Sequence, residues 1–334
     1  MIYLIIGAQR TECSVTRKNT DMQTILFFTL IGLARVIQSL CNKRTSSLVT
    51  SRTKFFAYGA YYEAASAAFS LIALVFAGFY GFDGVTVLCA AAQGLMFILE
   101  LFTNLAAIRG GTLILCNMFA MGGLIIPCVA GIFLFDEAMS LGQWAGLALF
   151  IVSAAILASD SNKTNVKLTP KTLALLIVNL LVNGGVMIFQ KVFAVYRPDG
   201  NVALYSFLTF AINAVLLSIC LLVRTLINKR TPALTGTAHE PIVSGNENAD
   251  THTRFEKILY LYGALLALAI FTLNLLITML AKTVPSVVLF PVSACIAITV
   301  TTLIGAIVFK EKLTLRKIIG IAFGIGSIVI INLL

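Results

Sequence analysis

Acidic side chains are scarce in this chain. Only 14 Asp and Glu stand against 24 Lys and Arg, and the charged residues together make up 11% of 334 positions. A water-soluble domain carries about 25%, so a soluble fold is excluded by the lack of a polar coat. Histidine is limited to His239 and His252, both in one polar stretch with no Cys or acidic partners at ligand spacing. This argues against a metal site and leaves every apolar segment without the commonest general base. Cysteine amounts to seven residues (Cys13, Cys41, Cys89, Cys116, Cys128, Cys220 and Cys295) at scattered spacings, with no CxxC. They read as small apolar packing residues rather than a disulfide framework. No P-loop, no HExxH and no Ser/His/Asp set at a shared depth is present, so no enzyme and no cofactor is expected.

What the chain has is apolar length. It is 59% hydrophobic with a mean hydropathy of +0.97, arranged in blocks of the size that spans a bilayer, about 20 residues. The blocks predict an all-α, multi-pass membrane protein with ten transmembrane helices near 22–42, 55–80, 85–107, 112–135, 142–159, 171–192, 203–227, 257–281, 285–309 and 316–333. The opening MIYLIIG is too short an apolar run for a signal peptide, so residues 1–21 are expected to form a short tail. The net charge of +10 comes mostly from short segments between apolar blocks. There it sets orientation and meets lipid headgroups, and nucleic acid is not expected as a partner. The stretch 229–257 is polar, rich in Gly, Pro, Asn and Thr, and reads as a flexible loop.

One turn occurs twice. FDEAMSLGQWAG at 135–146 is matched by FKEKLTLRKIIG at 309–320, with Phe135 on Phe309, Glu137 on Glu311 and Gly146 on Gly320. The ungapped match covers 107–157 against 281–331, and upstream Asn42 and Lys43 fall on Gln190 and Lys191 at a second offset. The two offsets differ by about the length of the polar loop. The chain therefore reads as two units of five helices, 22–159 and 160–334, with 229–257 inserted in the second. An odd number of spans per unit reverses the second unit in the membrane. That makes an inverted repeat, the architecture of many secondary transporters, whose substrate site lies near the midplane between the units. Ser140 and Gln143 fit a capping box that starts the fifth helix. Gly142 with Gly146, and Gly320 with Gly324, form GxxxG motifs that let helices approach closely and would permit a homodimer. Glu137 and Glu311 read as interfacial turn residues.

The chain resembles the drug/metabolite transporter superfamily, specifically the EamA-type ten-helix transporters, over nearly all of 22–334. The resemblance is strongest in VVLFPVSACIAITVTTLIGAIVFKEKLTLRKIIGIAFGIGSIVIINL, with its F-x-E-x-L turn, and in the weaker first copy. It implies a central cavity lined mainly by spans 1, 3, 4, 6, 8 and 9, and movement of small metabolites or drugs without ATP hydrolysis, in the cell (plasma) membrane. IIPC (125–128) and GQW (142–144) resemble nucleotide-sugar transporters of the same superfamily, a pattern that the C-terminal half does not follow. A non-transporting scaffold or receptor is the remaining alternative. The resemblance puts both termini in the cytoplasm, whereas most Lys and Arg lie in odd-numbered loops, which by the positive-inside rule favours the reverse. Orientation stays open.

Polar groups inside spans face protein or a water-filled cavity. At about 100° per residue, Gln93, Glu100 and Asn104 share a narrow stripe in span 3, and Asn179, Asn183 and Gln190 do so in span 6. Arg35, Gln38 and Asn42 form a wider stripe in span 1. The repeat aligns Glu100 and Asn104 with Asn274 and Thr278 of span 8, and Arg35 with Asn183. Arg35, Gln38, Gln93, Glu100, Asn104, Asn179, Asn183, Gln190, Asn274 and Thr278 are thus the candidate cavity residues for a small-molecule substrate. Arg35, which does not shed its proton, is expected to pair at rest with Glu100 or Glu63, and the substrate to compete for that pairing. Glu100 and Glu63 are also candidates to carry a coupling proton. Lys43 and Lys191 are expected to snorkel to headgroups, and Tyr58, Tyr61 and Tyr62 to sit in an interfacial aromatic belt. Pro127, Pro285 and Pro291 would bend spans 4 and 9.

Overall fold

The computed structural model describes residues 2–49, 52–110, 119, 122–161, 170–230, 249–307 and 314–333. Outside them lie Phe309 and Glu311 of the second turn, Cys116, and His239 with most of the polar loop. Among the described residues all regular structure is helical: α1 (Ile2–Leu48), α2 (Arg52–Ala77), α3 (Gly84–Gly110), α4 (Ile125–Phe135), α5 (Leu141–Ser161), α6 (Pro170–Tyr196), α7 (Val202–Arg230), α8 (Ala249–Ala281), α9 (Ser286–Ile307) and α10 (Leu315–Leu333). Six of these, α1 through its stretch Met22–Asn42, α2, α3, α6, α7 and α8, are long and apolar enough to cross a membrane. The expected N-terminal tail differs: residues 2–21 continue α1 as helix.

The helices are apolar outward and polar inward. Phe76 and Phe133 are 87% and 78% exposed, while Glu63, Gln93, Asn179, Asn213 and Thr278 are fully or almost fully buried. A water-soluble protein sorts its side chains the other way. This sorting suits hydrocarbon outside and hydrogen-bonded polar groups inside.

α2 packs on α7, α5 on α10, α3 on α6 and α1 on α8. Further contacts join α2 to α8, α3 to α7, α1 to α9 and α4 to α6. The α5–α10 pair uses both GxxxG motifs within the chain. A Cβ on Gly146 would lie 2.5 Å from Ile331 Cγ1, and one on Gly324 would lie 3.2 Å from Ser153 Oγ. Across the same seam the Ser153 hydroxyl donates to the Gly320 carbonyl at 2.5 Å. Gly184 does the same service between α6 and α4, where a Cβ would come within 2.7 Å of the Gly123 carbonyl.

Helix starts follow local chemistry. The Ser140 and Gln143 side chains bond each other's backbone N–H reciprocally, both at 3.1 Å, which is the capping box expected for α5. Asp83 caps α3 by accepting from the N–H of Val85 and Thr86, and Asn201 caps α7 by accepting from Ala203 and Leu204. α4 ends at Asp136 in the left-handed region (φ 50°), with the Glu137 N–H returned to the Gly131 carbonyl. Pro291 lies inside α9, whereas Pro285 stands just before it and starts the helix rather than bending it.

Candidate functional site: a polar cavity among α1, α3, α6 and α8

The polar stripes of four helices converge on one cavity. Arg35 and Gln38 come from α1, Glu100 from α3, Asn183 and Gln190 from α6, and Asn274 from α8. Between them Phe97, Met187 and several aliphatic residues of α6 and α8 supply apolar wall. A second space shares Gln38, Phe97, Glu100 and Ile270 with the first and adds Asn42, Tyr62 and Asn104. A few polar groups on an apolar wall is the usual make-up of a small-molecule site.

Asn274 is the hub of the deep end. Its Oδ1 accepts from Gln93 Nε2 and from Gln190 Nε2, both at 2.8 Å, and its Nδ2 donates to Ser206 Oγ at 3.0 Å. Thr209 then donates to Gln93 Oε1 at 3.4 Å. One amide thereby ties α3, α6, α7 and α8 together. Gln93 lies behind the cavity wall as support, and so do the two remaining candidates. Asn179 accepts from Thr103 at 3.1 Å, and Thr278 donates to the Asn274 carbonyl of its own helix at 2.6 Å.

Arg35 and Glu100 share the cavity without pairing. Arg35 Nη1 donates to Gln38 Oε1 at 2.9 Å, one turn along its own helix, and its Nε has no partner. Glu100 Oε1 accepts from Asn183 Nδ2 at 3.0 Å. No salt bridge joins Arg35 to Glu100 or to Glu63, so the expected resting ion pair is not formed. The reason is local. Each side chain already has a neutral amide as its partner, and both line the cavity. Glu63 stands apart, fully buried outside the cavity lining.

Next to Gln190 in the chain, Lys191 enters an ion pair. Lys191 is buried, not snorkelling. Its Nζ lies 2.9 Å from Glu137 Oε1 and also donates to the carbonyls of Ala281 and Val284. Glu137 in turn accepts from the Ser286 N–H and hydroxyl at the start of α9. Gly131 makes room for that carboxylate, since a Cβ there would lie 2.6 Å from Glu137 Oε2. Glu137 sits in the turn after α4, as expected, and joins that turn to α6 and α9. The tyrosines also differ from a belt. Tyr58 and Tyr62 are buried and stacked on each other, and Tyr62 lines the cavity.

The same face carries a second polar cluster. Arg197 after α6 pairs with Asp83 before α3. The Asp83 carboxyl is held below the usual carboxylate range, chiefly by the backbone N–H of Thr86, then by the Thr86 hydroxyl and Arg197. Lys282 donates to the carbonyls of Pro198 and Gly200 at 2.8 and 2.6 Å, and burial pulls its pKa down. Asn201 reaches across to the Gly78 carbonyl at 2.7 Å. Sequence spacing gives no signal for these contacts, because each joins segments distant in the chain.

No family model matches the chain, and no curated protein sequence matches it. A solved structure described only as "Crystal structure of protein" is similar to it, with a TM-score of 0.63 and 14% identity over 92% of this chain and 98% of that one. The likeness concerns the fold alone. Among the described residues the chain is all-helical, with six helices long and apolar enough to cross a membrane, features compatible with a multi-pass membrane protein.

Proposed function

We propose that this protein is a secondary transporter that moves small polar or amphipathic metabolites by alternating access at the cavity between two inverted five-helix units. The observation that carries the reading is the cavity itself. It sets one arginine, one glutamate and a group of amides from α1, α3, α6 and α8 around a shared space.

The helix contacts support the repeat. Exchanging the units turns the α1–α8 contact into α6–α3, the α2–α8 contact into α7–α3, and the α1–α9 contact into α6–α4, and each of these exists. The α2–α7 and α5–α10 pairs map onto themselves. A site on such an axis is walled by matching helices, and rocking one unit against the other opens it to alternate sides. Lys191–Glu137 then acts as a latch at one end of the cavity, because it holds the α4 turn, α6 and the α8–α9 connection together next to Gln190.

The test is thermal stability of the purified protein in detergent against a panel of metabolites, for wild type and Arg35→Ala. A ligand that binds only the folded state stabilises it by about 2.7 kcal/mol at a hundredfold excess over its dissociation constant. A transporter with this site shows one chemical class that raises the wild-type melting temperature and leaves the variant unmoved. A folded protein that responds to no class supports a scaffold instead.

A further inference from the structure

Four polar atoms at the α2–α7 interface lack partners: both carboxyl oxygens of Glu63, and Oδ1 and Nδ2 of Asn213. Both side chains are 0% exposed. The polar neighbours of Glu63 are Asn213 on α7 and Tyr62 on its own helix, and the other titratable group that faces it is Glu100 on α3. From α8, which also packs on α2, the Ala267 carbonyl accepts from Ser66 one turn along, and Tyr260 meets Tyr61. No cationic side chain forms a salt bridge with Glu63 among the described residues.

These orphans complement one another. A carboxylic acid and a primary amide satisfy each other fully through two hydrogen bonds: the acid O–H donates to the amide oxygen, and the amide N–H donates to the acid carbonyl. A carboxylate cannot do so. It can accept from Nδ2 but leaves Oδ1 of Asn213 without a donor, and it buries an anion with no cation beside it, which is costly. Neither bond is made in this conformation, so closing the pair takes the acid proton and a small turn of the two neighbouring side chains.

We propose that Glu63 is a proton-binding site, neutral between α2 and α7 and able to close an acid–amide pair with Asn213. Gly94 of α3 is part of the site's construction, because a Cβ there would lie 2.5 Å from Asn213 Oδ1. When the proton passes to water, the carboxylate left behind loses one of the two bonds and needs solvent or a cation, so α2 and α7 must part. Tyr62, next in the chain, lines the cavity and would move with α2. The proton site stands on the packing alone. Its place in a transport cycle rests on the function proposed above.

The experiment is infrared difference spectroscopy of the purified protein at neutral pH, wild type against Glu63→Gln, with Glu100→Gln as a control. Glutamine replaces the acid–amide pair with an amide–amide pair of the same shape, so the variant keeps the interface. The expected result is a protonated-carboxyl carbonyl band that disappears in Glu63→Gln and persists in Glu100→Gln. If Glu63→Gln does not fold, Asn213→Leu serves, since loss of the amide partner shifts that band to higher frequency without removing it. Loss of only carboxylate bands in Glu63→Gln overturns the proposal. Should sodium ion then raise the wild-type melting temperature and not that of Glu63→Gln, the site is a metal-cation site. None of these readouts needs a substrate, so their failure leaves the transporter reading to its own test.

Discussion

Lys191 Nζ lies 2.9 Å from Glu137 Oε1, with both side chains largely shielded from solvent. The pair joins α6 to the turn after α4, and through Ser286 to the start of α9. Taking away one partner of a buried pair leaves the other charge stranded, which costs about 3–5 kcal/mol. Lys191→Met is therefore expected to lower the thermal stability strongly. The double variant Lys191→Met/Glu137→Gln recovers a good part of the loss. Unfolding monitored in detergent for the two single variants and the double variant checks this, and additive losses would contradict it.

Asn274 answers Gln93, Gln190 and Ser206 at once. Asn274→Leu leaves two buried amide donors without an acceptor, at about 1–3 kcal/mol for each. A fall of that order in unfolding free energy is expected, together with loss of any ligand-induced stabilisation. A variant as stable as wild type would show that water replaces the hub.

Gly146 and Gly84 make a matched pair of tests. Gly146→Ala places a Cβ against Ile331 and the Ser327 carbonyl, and separating α5 from α10 is expected to cost about 1–3 kcal/mol. Gly84→Ala meets nothing within 4 Å and sits in the first turn of α3, so it is expected to change stability by no more than about 1 kcal/mol, toward stabilisation. Thermal unfolding of the two variants side by side gives the answer.

Asp83 gives the pH dependence a sign. Its folded pKa is depressed by the Thr86 N–H first and by Arg197 last. It therefore contributes stability that is fully present above the unfolded value of about 3.9 and is lost as pH falls through the lower folded value. Wild type is expected to lose stability between about pH 5 and pH 2 more steeply than Asp83→Asn. Parallel pH profiles for the two would remove Asp83 from the explanation.

Most helix limits were legible because apolar blocks end where charge or Gly/Pro punctuation begins. The observed α2, α3, α5 to α7, α9 and α10 lie close to their predicted spans, whereas α8 begins at Ala249, so that 249–257, read as loop, is helical. The Ser140 capping box was legible for the same local reason. The segment 2–21 was not, because its polar composition hides a helix that α1 simply continues. At the site, periodicity found the stripes, and Arg35, Gln38, Glu100, Asn104, Asn183, Gln190 and Asn274 do line the two adjoining spaces. Periodicity gives a direction and not a partner, so it could not tell that Arg35 is answered by Gln38 rather than Glu100. Nor could it tell that Lys191 turns inward to Glu137 or that Tyr62 borders the cavity. A lysine or a tyrosine near a span end is read outward by default, and only the packing of distant helices reverses it.

The most direct test of transport is exchange in proteoliposomes that hold the purified protein. Vesicles are loaded in turn with unlabelled amino acids, sugar phosphates or nucleotides, and uptake of a labelled member of the same class is followed. Alternating access predicts that one class exchanges across the membrane, that exchange fails in Arg35→Ala, and that empty vesicles take up none. Folded wild-type protein that exchanges no class, or an Arg35→Ala variant that exchanges as fast as wild type, would contradict a substrate site in this cavity.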